Sequence, residues 1–359
     1  MKVLMATRYD ASGASSRLRH MHYAGALSAA GIETACAPFF DSAYIERLYA
    51  QRPTGFQATA AYIRRIGQLR RAGAVDVLWL EKEAFPWLPW AVENGLLPKG
   101  VPLVLDLDDA VFHNYDLHRS GIVRHLLGDK IDRLMARAAL VTAGNPYLAD
   151  RARAAGAARV EIVPTVVDLN AYVPRPAHGA GDMARIGWIG TPSTWQAYVQ
   201  PMLPLLAQAA QDAGARIMAV GAGHAATAHP LLDSLPWSEE TEVAHIHQMR
   251  IGIMPLADTP WAKGKCGYKL IQYMACGLPV IASPVGVNGD IVEHGVNGFL
   301  ARTEDDWRVA IRTLLHDPDL GQRMGAAGRK KVEEHYSLQA WGPRVATMLL
   351  GVAKGEKLP

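Results

Sequence analysis

The stretch Lys263–Ser283, KGKCGYKLIQYMACGLPVIAS, leaves this chain few folds to choose from. It opens as a loop of lysine and glycine, continues as a short helix, turns at Gly277 and ends in an apolar strand, Val280–Ala282. At about 3.6 residues per turn, Leu270, Ile271, Met274 and Ala275 share one side of the helix. Lys269, Gln272, Tyr273 and Cys276 share the opposite, polar side. Gly277 suits the helix C-terminus, and Pro279 follows where a helix cannot continue. A glycine loop entering a helix presents N–H groups and a positive dipole end to an anion. Lys263, Lys265 and Lys269 add three positive charges there. Two readings follow from the residues alone: a phosphate site, or a βα unit whose lysines solvate a surface.

Short apolar strands alternating with helices run through the whole chain, which is the pattern of an α/β fold with parallel sheets. Lys2–Ala6 reads as a buried strand, followed by the loop Thr7–Ser16 and a helix from Arg17 to about Ala30. Strands Glu33–Ala37, Asp76–Leu80, Pro102–Asp106, Leu140–Ala143 and Arg159–Pro164 come next. Two of them end in acidic clusters, Glu81-Lys82-Glu83 and Asp106-Leu107-Asp108-Asp109. A D-x-D run suits a divalent metal held through oxygens. Ala58–Gly73 is helical, with Tyr62, Ile66 and Leu69 on one face and Arg64, Arg65, Arg70 and Arg71 along it. It is either a packed and solvated helix or a basic surface for anionic lipid. Asn145 can N-cap the helix that begins at Pro146.

The Pro- and Gly-rich tract Pro174–Asp182 is the clearest break in composition and reads as a linker. Beyond it the alternation restarts, with strands Ile186–Ile189, Arg216–Val220, Ile251–Met254, Val280–Ala282 and Gly298–Ala301. Helices are predicted over Asp290–His294, Glu304–His316, Leu320–His335 and Leu338–Val352. At 359 residues the chain suits two domains, placed at 1–170 and 183–335, with a linker at 171–182 and a C-terminal helix at 336–359. The net charge of +3 gives no ground for a nucleic-acid partner. Cys36, Cys266 and Cys276 fit no paired framework or metal spacing, which predicts reduced thiols in a cytoplasmic protein. MKVLMATRYD is too short for a signal peptide. No apolar run approaches the roughly 20 residues of a membrane span, so any membrane contact is expected to be peripheral.

The segment KLIQYMACGLPVIASPVGVNGDIVEHGVNGFLA resembles the donor-site region of retaining glycosyltransferases of family 4, which have the GT-B fold. Their pattern is a helix bearing Glu, then Tyr-Met-Ala-x-Gly-x-Pro-Val, a Gly-containing loop, a Glu and Gly-x-Leu. VPTVVDLNAY is similar to the family segment that leads into the second domain. The resemblance implies two Rossmann-like doubly wound domains facing a central cleft, acceptor-side first and donor-side second, with the C-terminal helix crossing back. It also implies transfer of a sugar from a nucleotide-diphosphate donor to a glycan or lipid-linked acceptor, with retention and without a metal or other cofactor. Lys265 and Lys269 would then stabilise the leaving diphosphate. Gly13, Gly190, Thr191, Ser193, Thr194, Lys263, Gly264, Cys266, Gly267, Tyr268 and Gln272 would line the donor. Ser15, Ser16, Arg17, Lys82, Glu83 and His113 would lie on the acceptor side, with Asp108 and Asp109 in the catalytic centre.

Three departures from the family pattern stand out. Asp108 occupies the usual place of a histidine, and Gly264 and Gln272 the places of two glutamates. The loop Gly190–Trp195 lacks the arginine and lysine that many relatives supply there. These departures keep open a non-catalytic nucleotide-sugar-binding subunit and a nucleotide-sugar epimerase.

Overall fold

The computed structural model describes residues 1–50, 52–176 and 183–355. Residues 177–182 of the expected linker lie outside the described residues. The chain divides into two units. One comprises Met1–Thr165, the tetrapeptide Lys263–Cys266 and the stretch from Leu338 onward; the other comprises Val166–Ala262 and Gly267–Ser337.

The strands of the first unit are β1 (Lys2–Ala6), β2 (Glu33–Cys36), β3 (Val77–Glu81), β4 (Leu103–Leu107), β5 (Leu140–Ala143) and β6 (Val160–Ile162). Its helices are α1 (Ala14–Arg19), α2 (Ala24–Ala29), α3 (Ser42–Tyr49), α4 (Gly55–Arg71), α5 (Trp90–Leu96), α6 (His113–Asp116), α7 (Gly121–Leu127), α8 (Lys130–Arg137) and α9 (Pro146–Ala154). The strands pair in parallel in the order β2-β1-β3-β4-β5-β6. Every residue of β3, β4 and β5 is buried, as a parallel sheet covered on both faces requires. Ala61 and Leu69 of α4, Leu134 of α8 and Ala149 of α9 form one core with Leu78, Leu80 and Leu105. Cutting such a fully buried leucine to alanine costs about 2–5 kcal/mol. The order reverses direction between β1 and β3, so the carboxyl ends of these two strands are where a doubly wound sheet receives ligands.

The second unit contains β7 (Arg185–Ile189), β8 (Arg216–Val220), β9 (Leu232–Leu235), β10 (Ile251–Met254), β11 (Val280–Ala282) and β12 (Gly298–Leu300). Its helices are α10 (Pro192–Thr194), α11 (Leu203–Asp212), α12 (Glu242–His247), α13 (Pro260–Lys263, whose last residue falls in the first unit), α14 (Tyr268–Ala275), α15 (Asn288–Ile291), α16 (Glu304–His316) and α17 (Pro318–His335). The sheet order is β12-β11-β10-β7-β8-β9, so here the switch falls between β7 and β10. Alternate residues of β8 feed two cores, Ile217 and Ala219 on one face, Met218 and Val220 on the other. The last helix, α18 (Leu338–Lys354), packs on α2 and β3 of the first unit. A Cβ on Gly342 would stand 2.7 Å from Ala26, so glycine permits that approach.

One expected helix is corrected, and three further places gain detail that the sequence did not carry. The helix expected from Arg17 to Ala30 is broken at His20, where φ is −127° and ψ −61°, and resumes as α2 after a 3₁₀ turn. The break turns Arg19 inward onto Asp106. The arginines of α4 do not form one basic face. Buried Arg65 donates to the carbonyls of Thr7 and Ala37, and burial lowers its pKa to about 10. Arg64 donates to Asp41 and to the Phe39 carbonyl. The polar side of α14 does not face solvent: Gln272, Tyr273 and Cys276 are buried, and α17 packs on the helix. Strand β9 was not anticipated.

Candidate active site

In the first unit the switch point is an ionic cluster. Glu81 ends β3 with its side chain fully buried, and its carboxylate accepts from Ser15 (2.8 Å), Ser16 (2.5 Å) and the Arg8 backbone N–H (2.7 Å). Glu81 therefore ties the loop after β1 to the end of β3. Lys82 follows with φ +62°, a left-handed conformation rare for a residue with a side chain. Its ammonium lies 3.0 Å from Asp108 and 3.8 Å from Asp109, and donates to Ser15 at 3.1 Å. Ser15 Oγ also lies 2.5 Å from Asp108, so its one hydroxyl proton is shared between Asp108 and Glu81. Burial pushes the Asp108 carboxyl up, but Lys82 and the Ser15 hydroxyl outweigh it and hold the pKa at about 2. Burial opposes the charge on Lys82, yet Asp108, Asp109 and Glu81 keep it above the ordinary lysine range.

Beneath this layer, Asp106 of β4 takes a two-pronged bond from buried Arg19, at 2.9 and 2.7 Å, and a third from Thr142 at 2.6 Å. Such paired geometry is what makes a buried ion pair tolerable. Glu83 is likewise internal, bonded to Lys130 (2.6 Å), Arg8 (3.1 Å) and the Tyr115 hydroxyl (2.8 Å). His113 is gripped on both ring nitrogens, by Asp116 at 2.8 Å and Tyr147 at 2.7 Å. Gly13 caps α1 and lies against Tyr9, and Arg17 donates to the Ala11 carbonyl at 2.9 Å. Ser15, Lys82, Asp108 and Asp109 thus come together, whereas Glu83 and His113 hold the surrounding framework.

The tetrapeptide Lys263–Cys266 is bound to this cluster. Asn145, which N-caps α9 through Leu148 N–H, also donates to the carbonyls of Lys263 (3.2 Å) and Lys265 (2.9 Å). The Lys265 ammonium meets Asp109 at 2.7 Å, which holds it charged against the cost of burial. The Cys266 thiol donates to the Asp108 carbonyl at 3.0 Å. A Cβ on Gly264 would stand 2.6 Å from that of Ala110, and one on Gly144 would strike Cys266. Position 264 has no room for a glutamate while the tetrapeptide lies this way.

The second unit builds its switch point from small residues, hydroxyls and one lysine. Gly190 follows β7, and a Cβ there would lie 2.5 Å from the Trp188 ring and 2.8 Å from Cε of Lys269. The Lys269 stem therefore crosses Gly190, and its ammonium stands 5.7 Å from the Trp188 ring centroid, a cation–π contact. Thr191, Ser193 and Thr194 bond among themselves, with Thr191 N–H donating to Thr194 Oγ1 at 3.1 Å. Gly267 starts α14 at φ +68°, where a Cβ would strike Ile291. The Tyr273 hydroxyl accepts from Ile189 N–H at 2.9 Å and ties α14 to the end of β7. At the other end of α14, Gly277 at φ +73° closes the last turn, and Arg329 donates to the Ala275 carbonyl at 2.6 Å. The start of α14 and the loop after β7 are thereby fixed side by side.

Gln272 lies deeper. It donates to the Tyr172 hydroxyl at 2.8 Å, and that hydroxyl donates in turn to Glu242, which also accepts from the Trp237 indole at 2.7 Å. Tyr268 joins through its own hydroxyl, 3.3 Å from that of Tyr172. Burial, with Tyr268 and Glu242 beside it, drives the Tyr172 hydroxyl far above its ordinary range. Trp188 and Glu242 had no motif to mark them in the sequence, and Tyr172 was marked only as the end of VPTVVDLNAY. Among the described residues no cluster of three or more His, Cys, Asp or Glu side chains could hold a metal ion. No helix among the described residues is long and apolar enough to cross a membrane.

Residues 184–317 match the family described as Glycosyl transferases group 1. Over 97 residues the chain is 31% identical to the N-acetyl-alpha-D-glucosaminyl L-malate synthase of Bacillus anthracis. That match spans 26% of this chain and 26% of that relative. Among solved structures, Anabaena HepE in complex with UDP and glucose superposes with a TM-score of 0.73 at 18% identity, covering 98% of this chain and all of that one. The sucrose-phosphate synthase of Thermosynechococcus elongatus gives 0.72 at 13% identity, over 99% of this chain and all of the other. At such identities the likeness is one of fold. Residues 184–317 thus match a group 1 glycosyl transferase model, and the chain has the two-domain α/β fold of its GT-B glycosyltransferase neighbours.

Proposed function

We propose that the protein transfers a sugar from a nucleotide-diphosphate donor to a glycan or lipid-linked acceptor, with retention of configuration, as family 4 enzymes do. The observation that carries this is the convergence of Gly190, the Thr191–Thr194 hydroxyls and Lys269 at the start of α14. A diphosphate suits it: glycine lets the phosphate approach the backbone, hydroxyls donate, and the ammonium offsets charge growing on the leaving group. The donor falls to the second unit and the acceptor to the first, where Ser15, Lys82, Asp108 and Asp109 are gathered. Lys265, paired with Asp109, serves the acceptor side in this reading, which leaves Lys269 the principal donor cation. The scheme calls on no metal, since both carboxylates already hold ammonium partners. A cytoplasmic site fits the free cysteines.

One observation favours a second reading, a binding subunit without catalysis. Gly264 has no room for a carboxylate and the Gln272 amide is committed to Tyr172, so neither glutamate role of the relatives is filled as they fill it.

The test is nucleoside-diphosphate release by wild type and Lys269→Ala over a panel of UDP-, GDP-, dTDP- and ADP-sugars. UDP-sugars come first, because HepE was solved with UDP. Release with one donor, reduced about 100-fold or more in the variant, is expected, and the anomeric signal of the product should keep the donor's configuration. A donor that raises the melting temperature but is never turned over would leave the binding subunit as the better account.

A further inference from the structure

The described surface of the first unit has a concentration of outward apolar side chains where α6 meets α7 and the loop after β3. Ile122 is 72% exposed, Leu117 58%, Leu126 55% and Trp87 50%. Ile122 and Leu126 are four apart on α7 and share its outer side, while Val123 and Leu127 turn to the core. Trp87 is no stray. Its backbone is left-handed, φ +62°, and is fixed from beneath by the Tyr115 hydroxyl, which accepts from Trp87 N–H at 3.1 Å and donates to Glu83. Glu83 is in turn held by buried Lys130. The indole meets Tyr115 and His118 edge-on, at 5.2 and 5.8 Å. A bulky side chain kept outward on a costly backbone by a buried network is a feature the fold supports for use outside the core.

The rim of this patch is cationic. Arg124 donates only to the carbonyls of His118 and Arg119, and Arg119 has no carboxylate partner among the described residues. The neighbouring acids are already engaged, Asp116 by His113 and Arg151, and Asp129 by Arg133. Aliphatic side chains beside an outward tryptophan, bordered by arginines without carboxylate partners, match the boundary of an anionic bilayer. A second copy of the chain fits less well, because a two-fold contact would set this cationic patch against itself.

We propose that Trp87, Leu117, Ile122 and Leu126, with Arg119 and Arg124, form a docking surface for an anionic membrane. This surface is distinct from the arginine-bearing helix α4, two of whose arginines are spent internally. It does not depend on the sugar-transfer reading.

The test is co-sedimentation of the full chain with vesicles of phosphatidylcholine alone or mixed with phosphatidylglycerol. Wild type should pellet with the mixed vesicles and be released by salt. Ile122→Ser/Leu126→Ser should weaken partitioning about tenfold or more, and Arg119→Glu/Arg124→Glu should remove the preference for the anionic lipid. Phe56→Ser, on the exposed side of α4, should change nothing and serves as the control. All these positions are exposed, and unchanged melting curves would confirm that the variants are folded. Wild type remaining in the supernatant, or an apolar double variant that pellets as well as wild type, would overturn the proposal. So would light scattering that shows the double variant breaking a dimer while vesicle binding persists. Donor turnover in solution is read separately, so failure on vesicles leaves the transferase reading untouched.

Discussion

The two units place opposite chemistry at the same point of the same topology. Each is a parallel six-stranded sheet whose strand order reverses beside its first strand. In the first unit the reversal is filled by Glu81, Asp108 and Asp109, interlocked with Lys82, Lys265 and Ser15 above the Arg19–Asp106 pair. In the second it is lined by Gly190, Gly267 and a set of hydroxyls, with one lysine laid over an indole. The topology fixes where a ligand can approach. What waits there is decided by side chains: a pre-formed charge lattice in one case, and in the other glycine and hydroxyls with a single lysine laid over an indole.

This contrast predicts that breaking the buried Arg19–Asp106 pair beneath the first unit's cluster acts on folding, whereas removing Lys269 in the second unit acts on chemistry. The largest effect belongs to Arg19→Met, which strands Asp106 in the core and should remove about 3–5 kcal/mol from the urea unfolding free energy. Lys269→Ala should show the reverse profile, with stability within about 1 kcal/mol of wild type while donor turnover falls about 100-fold. If Lys269→Ala instead melted the protein, the division of labour would be wrong. Acid offers a third approach. Because Asp108 is held at about 2 when folded, against an ordinary 3.8, its contribution is complete above about pH 4 and drains away as the pH falls towards 2. That is about 2 kcal/mol, and Asp108→Asn should flatten this limb of the stability curve. The smallest effect is expected from Gln272→Glu, which reinstates the family's residue but sets a second carboxylate on the Tyr172 hydroxyl beside Glu242. A loss of about 1–2 kcal/mol without gain in turnover is expected. Improved turnover would mean that the Tyr172 network yields to the donor.

The sheets were legible because strands covered on both faces must be continuously apolar. Lys2–Ala6, Leu140–Ala143 and Arg216–Val220 announce themselves this way. The edge strand β9, LDSL, pairs only with β8 and is partly exposed, so it carried no such mark. The helical wheel of α14 found its apolar side but could not know that Tyr273, on the other, would pack against Gly252 of β10 and bond Ile189 N–H of β7. Residues 17–30 look uniformly helical in isolation, and nothing local marks the break at His20, beside an Arg19 held by Asp106 and the Val163 carbonyl from distant parts of the chain. At the site, the three lysines read as one cationic group. Lys265 instead finds Asp109, 156 positions away in the chain, a pairing that no local pattern encodes.

The tetrapeptide Lys263–Cys266 makes the two units covalently interleaved rather than strung in series. The polypeptide leaves the first unit after Thr165, revisits it for Lys263–Cys266 and returns at Leu338. An N-terminal fragment ending at Thr165 would therefore be an unfinished domain. Asn145 would lose two carbonyl acceptors, Asp109 its ammonium, and α2 and β3 the cover of α18. Neither half could be lifted out and grafted elsewhere by a single cut. Insertions or shuffled halves that respect only the proline- and glycine-rich tract should yield aggregates, whereas a swap that carries all three pieces of the first unit together should fold.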